Sequence, residues 1–559
     1  MKTRWRYVVL TCLSLCAVAC ADRKTDGNSG AEGSPVQGGT VVLAGNGDMD
    51  ALNPLVALDK YAQEVNRSMM FIPLVRYDSV LDYAPALARS WKMTGDTGVI
   101  FYLRNDVRWH DGKPTTAEDV LFTFERAKDT ATAFPNSDYF TNWRGAKVID
   151  SITIQFTWVP HLDPLAGVPF LPVVPKHLLD SIAPAALRQA AFNKHPVGNG
   201  PFKFVEYRAN DRWEFEANPD YPTGLGGRPY IDRLIWRIIP EAAAQATEIQ
   251  TGNVDVILTP KSDQIKMFAT QPDLSVMVKP SRQFANVGWN GKRPPLNDAN
   301  VRRALSLAID RQAIIQTLRS GYGQLAVGPI GPYHWAFDTT LTALPFSPDS
   351  ARTLLRAAGI YDRNNDGVAE LPNGKQFVIE MLHPAGSAIN QDMAVMIASN
   401  LSQVGVKVVP KATEAATMYG IIGSPDRKFD AVIIGWESDF RINLRDILHT
   451  SAMSGGFQMA SYSNPRVDAL IDSVGRVTDR AAALPIYKEL QRILRDDQPW
   501  SFLYYFPDLV VTRKRLHGAA MDIRGTLLNV GKWWVTPAAG GAAAQNDSAA
   551  RTPVQDSAR

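Results

Sequence analysis

The sequence predicts a mixed α/β protein built from two or three packed units. Strand-like and helix-like periodicities interleave along the chain, which is the signature of that class. At 559 residues the chain is too long for one ordinary core. Hydrophobic residues make up 45% and charged residues 21%, enough apolar material to fill large cores. No short internal repeat divides the chain.

The first segment reads as an address. Lys2, Arg4 and Arg6 form a positive start, and residues 7–19 are apolar but too few for an ordinary membrane span. The stretch ends in Ala17-Val18-Ala19-Cys20, which resembles a bacterial lipobox, with Ala17 where leucine is more usual. Residues 1–19 are therefore expected to be a signal peptide, with Cys20 lipidated as the new N-terminus. All three cysteines (Cys12, Cys16 and Cys20) lie here, so the body has no disulfide and no thiol chemistry. The formal charge of +3 loses three positive residues with the signal and falls near zero. With no long Lys/Arg stripe, nucleic acid is not an expected partner. Residues 20–37 read as a flexible tether, and residues 537–559 as a disordered tail with little to bury.

Between them, residues 39–45 read as a buried strand and 62–71 as a helix. Residues 98–103 read as a strand. Asp111-Gly112 marks a turn, and Thr116-Ala-Glu-Asp119 a capping box opening a helix over 120–128. Residues 151–157 alternate as a strand. Val301, Ala304, Leu305, Ala308 and Ile309 share a helical face, with Gly321 available to stop that helix. Residues 351–358 and 393–403 read as helices, and 429–435 as a compact apolar strand.

Catalytic signatures are missing. There is no Gly-Xaa-Ser-Xaa-Gly elbow, Walker loop or dinucleotide fingerprint, and the eight histidines form no His-Glu-Xaa-Xaa-His pair. No enzyme activity, cofactor or metal is expected. Asp362-Arg-Asn364-Asn-Asp366-Gly367 imitates the start of a calcium loop, but the twelfth place holds Asn373 rather than a bidentate acid, so it reads as a polar turn.

Four groups of segments stand in a telling order. The first is Pro85-Ala-Leu-Ala-Arg-Ser-Trp91, Phe101-Tyr-Leu-Arg104 and Val107-Arg-Trp-His-Asp-Gly-Lys-Pro-Thr-Thr-Ala-Glu-Asp-Val120. The second is Val197-Gly-Asn-Gly-Pro-Phe202, with Asn218-Pro-Asp-Tyr221 and Gly252-Asn-Val-Asp255. The third is Pro294-Pro-Leu-Asn-Asp-Ala-Asn-Val-Arg-Arg-Ala-Leu-Ser-Leu-Ala-Ile-Asp310. The fourth is Gly435-Trp436 followed by Tyr462-Ser-Asn-Pro-Arg-Val-Asp468. Together they resemble the bacterial extracellular solute-binding proteins of family 5, the peptide/nickel group, over about residues 39–535. Most read as structure: Trp109-His-Asp-Gly as strand, turn and packing aromatic, Gly198-Asn-Gly200 as a backbone turn, Arg302 and Arg303 as a helix surface.

The resemblance implies a bilobal, hinged receptor of the periplasmic-binding-protein type with an extra subdomain. Lobe I would combine 38–58, 185–282 and 503–536, the extra subdomain would be 59–184, and lobe II 283–502. The crossings would fall near 279–286 and 502–506. It implies a substrate-binding component of an ABC importer, on the outer side of a membrane and tethered by its lipid. The protein would be a monomer whose partners are a permease and an ATPase, with a peptide or other small solute as ligand. Asp439, three residues after Trp436, is placed to meet a ligand ammonium. Trp436 would wall a side-chain pocket beside Gly435, with Glu437 and Arg441 adjacent. Residues 282–286, with Arg282 and Phe284, and residues 433–436 would pair with the ligand backbone. Asp59, Lys60 and Tyr61 would form the cleft lip. The pattern departs from the family after Asp439, where Phe440-Arg441-Ile442-Asn443-Leu444 replaces the usual acid-proline. It also has Ile433 and Ile434 where some oligopeptide receptors carry arginine. A sugar oligomer, metal chelate or opine-like solute, and a sensing lipoprotein, therefore stand as alternatives.

Overall fold

The computed structural model describes residues 33–536. The export segment, Cys20, the tether up to residue 32 and the tail from residue 537 lie outside the described residues.

Two large sheets organise the chain. The first runs in the order Leu274–Lys279, Asp508–Arg513, Val256–Ile257, Thr40–Gly45, Arg233–Ile238, Arg212–Ala217, Phe202–Arg208. Thr40–Gly45 is parallel to both neighbours, and its near-continuous apolar run suits a strand covered on both faces. The second runs Gln324–Leu325, Trp500–Tyr505, Gln283–Trp289, Ala431–Glu437, Val378–Pro384, Lys407–Thr413. A third, antiparallel sheet holds Ala88–Met93, Gly98–Leu103, Thr153–Trp158 and Trp143–Asp150. One continuous core joins this sheet to the seven-stranded one. The six-stranded sheet has a core on each face, one around Val287 and Trp289, the other around Phe284 and Trp500. The expected mixed α/β, two-lobed architecture is what the chain forms. Among the described residues no helix is long and apolar enough to cross a membrane.

The chain passes from the first large sheet to the second between Lys279 and Gln283 and returns between Tyr505 and Asp508. The two crossings are laced together. Ser281 Oγ donates to the Phe506 carbonyl at 2.6 Å, and the Phe506 amide donates to the Gln283 carbonyl at 3.3 Å. Asp508 closes the hinge with Lys279 at 2.7 Å and Lys60 at 3.2 Å. Burial opposes its charge, but the two ammoniums outweigh burial and hold its carboxyl below the ordinary value.

Several elements differ from expectation, each for a local reason. The expected helix over 62–71 is an α-helix, Lys60–Val65, that opens into a π-helical turn, Asn66–Met70. The helix expected to run from Val301 to a stop at Gly321 is two, Ala299–Leu307 and Arg311–Leu318, because Asp310 caps the second by accepting from the Ala313 amide. Arg302 is not a surface anchor. It is buried, and its guanidinium donates to the carbonyls of Leu296, Asp497 and Gln498, so it caps the C-terminal end of helix Arg480–Asp497. Thr116 and Asp119 form the capping box, and Asp119 also accepts from the Trp109 indole at 3.4 Å and the Lys176 amide at 3.0 Å.

The structural reading of Trp109-His-Asp-Gly and Gly198-Asn-Gly200 gains a partner. The amides of Asn199 and Gly200 both donate to the Met70 carbonyl at 2.9 Å. A Cβ on Gly198 would stand 1.9 Å from that oxygen, and one on Gly200 2.2 Å from the Met69 carbonyl. Only glycine permits this approach. His110 accepts from the Gly198 amide at Nδ1 and so donates from Nε2 to the Gly200 carbonyl at 3.0 Å. Burial pushes its pKa down to about 4, which keeps it neutral as a structural clasp.

Candidate binding cleft

The site lies where the two lobes meet, at the end of strand Ala431–Glu437. That strand pairs with Gln283–Trp289 along its full length, but with Val378–Pro384 only at Ala431 and Val432. From Ile433 onward its other edge carries no strand. Gly435 is exposed there, with no atom crowding its Cα. The expected pairing of a ligand backbone with residues 433–436 thus has an open edge to use. The corresponding expectation for residues 282–286 does not: Gln283–Trp289 is already paired on both sides, with Ala431–Glu437 and with Trp500–Tyr505.

Beyond the strand, the chain presents charge. Arg282 donates to Glu437 at 2.6 Å and to the Ser438 carbonyl at 2.7 Å. It lies 3.7 Å from Asp439 and 4.8 Å from the Phe440 ring centre. Arg282 therefore spends its best bonds on Glu437 and Ser438, and Asp439 keeps free acceptor capacity with its side chain 53% exposed. Burial raises the Asp439 carboxyl above its ordinary pKa, against the pull of Arg282. Trp436 is half-buried, edge-on to Phe457 and tilted over Trp500 at 5.7 Å. Phe284 is 1% exposed and packs among Trp500, Phe502 and Tyr505, so it backs the strand from inside the core.

The opposite lip carries the other expected residues. Asp59 caps its own helix, accepting from the Tyr61 amide at 3.0 Å and the Ala62 amide at 2.8 Å. Lys60 reaches Asp508 at the hinge, and Tyr61 packs on Trp236 at 5.2 Å. All three have partners within the protein. Residues that sequence reasoning missed join the lobes instead. Phe440 stacks on Phe170 at 5.7 Å and meets Tyr77 at 5.1 Å. Arg441 pairs with Asp138 and lies 4.5 Å from the Tyr139 ring centre. Arg480 pairs with Asp163 at 3.0 Å and Asp82 at 3.4 Å. Partners hundreds of residues apart leave no local sequence signal. Arg441, expected beside the ligand, thus serves an inter-lobe ion pair in this arrangement.

The loop at 362–373 also differs from its expectation in detail. Oxygens of Asp362, Asp366 and Glu370 lie within 4.8 Å of one another, so the third acid comes from position 370 rather than 373. The loop holds itself by its own bonds: Gly367 donates to Asp362, Val368 to Asp366, and Arg363 to Glu370.

The model of the bacterial extracellular solute-binding proteins, family 5 middle region, matches residues 82–444. The oligopeptide-binding protein AppA of Bacillus subtilis is 28% identical over 549 residues, covering 94% of this chain and 97% of that protein. The heme-binding protein A of Haemophilus influenzae is 27% identical over 80% of this chain and 84% of its own length. The structure of Bacillus subtilis AppA in complex with a nonapeptide superposes with a TM-score of 0.74 at 26% identity, over 90% of this chain and all of that one. With two lobes, laced crossings and this match over most of its length, the chain belongs to family 5 of the bacterial extracellular solute-binding proteins.

Proposed function

We propose that this protein is the extracytoplasmic receptor of an ABC importer, and that its solute is a peptide or a peptide-like zwitterion. The observation that carries the reading is the pairing of an open strand edge at Ile433–Glu437 with the underused carboxylate of Asp439 at its end. An extended backbone satisfies the first and an ammonium the second. Relatives that bind oligopeptides support it. In this reading the segments 38–58, 185–282 and 503–536 move together as lobe I, 59–184 rides with them as the extra subdomain, and 283–502 is lobe II. The hinge is the laced pair of crossings, the receptor is a monomer that delivers its solute to a permease driven by an ATPase, and no chemistry is done on the solute.

Calorimetric titration of unblocked short peptides tests this. Saturable binding is the expected result. Heat with a neutral oligosaccharide or a metal chelate, and none with any peptide, would overturn it.

The same proposal includes anchoring through Cys20, supported by Ala17-Val18-Ala19-Cys20 and a body without cysteine. Bacterial lipoproteins carry more than one acyl chain, and one chain alone holds a membrane only marginally. Metabolic labelling with an alkyne fatty acid is expected to tag the wild type and not Cys20→Ala. Undiminished labelling of the variant would refute the anchor.

A further inference from the structure

Arg67 is a cation without a counterion. It stands in the π-helical turn Asn66–Met70, a rare geometry that concentrates at functional sites. A guanidinium has five N–H donors. The one protein bond found for Arg67 runs from Nη2 to the Arg524 carbonyl at 3.2 Å. The acids nearest in effect, Glu64 and Glu437, are occupied elsewhere. Glu64 accepts from the Leu527 amide, and Glu437 holds Arg282.

Its surroundings are those of a binding subsite. Arg67 lines a narrow cavity with Gln63, Asn66, Asn136 and Phe170, and lies 5.9 Å from the Phe170 ring centre. Asn66 Oδ1 is buried there without a hydrogen-bond partner. Phe170 in turn stacks on Phe440, which carries Arg282. The cavity therefore opens on the same inter-lobe contact as Asp439. Burial depresses the Arg67 pKa, and the field of Arg282 adds to that; guanidinium stays charged all the same. A buried charge and spare donors at a cavity call for an anion.

We propose that Arg67 takes the C-terminal carboxylate of the bound peptide, with Asp439 taking its ammonium. This rests on the peptide reading above and narrows it to short peptides. Arg282 stands 3.7 Å from Asp439, and its field also reaches Arg67. Both end-groups thus cluster around one arginine, which suits two or three residues, an extended length of roughly 7–11 Å.

The test is titration calorimetry of trialanine and trialanine amide against wild type, Arg67→Gln and Arg67→Lys. Amidation is expected to weaken wild-type binding about 10- to 100-fold, the worth of a charge-assisted bond. Arg67→Gln should bind free trialanine as weakly as wild type binds the amide, with little further loss on amidation. Arg67→Lys should recover part of the discrimination. Equal binding of the free and amidated peptides by wild type overturns the subsite while leaving the peptide reading standing. So does full discrimination retained in Arg67→Gln. Loss of amide discrimination only for a peptide with a glutamate side chain would assign Arg67 to side-chain carboxylates and also overturn it. Failure of both trialanine forms to bind wild type removes the peptide reading and this subsite together.

Discussion

Asp439→Asn is expected to weaken the binding of an unblocked peptide by about a hundredfold, roughly 3 kcal/mol, and to leave the fold intact. Breaking a buried ion pair costs about 3–5 kcal/mol because one charge is left stranded. The Asp439 side chain is 53% exposed, which argues for the lower end of that range. N-acetylating the peptide should cost wild type a similar factor and cost the variant little more, and that non-additivity identifies the pair. Because burial holds the Asp439 carboxyl above its ordinary pKa, binding should also weaken as pH falls through that raised value, and should be fully developed at neutrality. Equal calorimetric affinities of wild type for free and acetylated peptide would remove Asp439 from the role.

Asp255→Ala is expected to destabilise the protein by about 3–5 kcal/mol. Asp255 has a side chain only 1% exposed and accepts from Arg515 at 2.6 Å and 2.7 Å and from the Val42 amide at 3.0 Å. The three groups come from the start, the middle and the final return of the discontinuous lobe. One carboxylate therefore stitches together chain segments that are far apart in sequence. Removing it leaves a guanidinium and a backbone amide without their partner. Urea denaturation should show a lower midpoint with an unchanged slope. A loss below about 1 kcal/mol would show that water replaces the carboxylate and that the stitch is weak.

These two aspartates show what was legible in the sequence. Both stand in short motifs, Gly252-Asn-Val-Asp255 and Gly435-Trp436 with Asp439 three places on, so their positions stood out before any fold was known. Their partners did not. Arg515 is 260 residues from Asp255, and Arg282 155 residues from Glu437, distances over which periodicity carries no information. Strands such as Gly98–Leu103 declare themselves because burial repeats along them. The π-helical turn at Asn66–Met70 does not, since one extra residue in a turn leaves the helical pattern almost unchanged. Arg67 for that reason looks like any arginine on an amphipathic helix. Arg302 looked like surface for a related reason: its partners are backbone carbonyls, which no side-chain pattern reveals.

The central claim is that a peptide closes two lobes about the laced crossings at Lys279–Gln283 and Tyr505–Asp508. Inter-lobe pairs such as Arg480–Asp163 and the Phe440–Phe170 stack belong to the closed arrangement seen here. Hinge closure of near-rigid bodies shortens the molecule without changing its secondary structure. Small-angle X-ray scattering with and without saturating peptide measures this directly. The account predicts a smaller radius of gyration with peptide bound, at unchanged far-ultraviolet circular dichroism. An unchanged scattering profile, at a peptide concentration that calorimetry shows to be saturating, would contradict it.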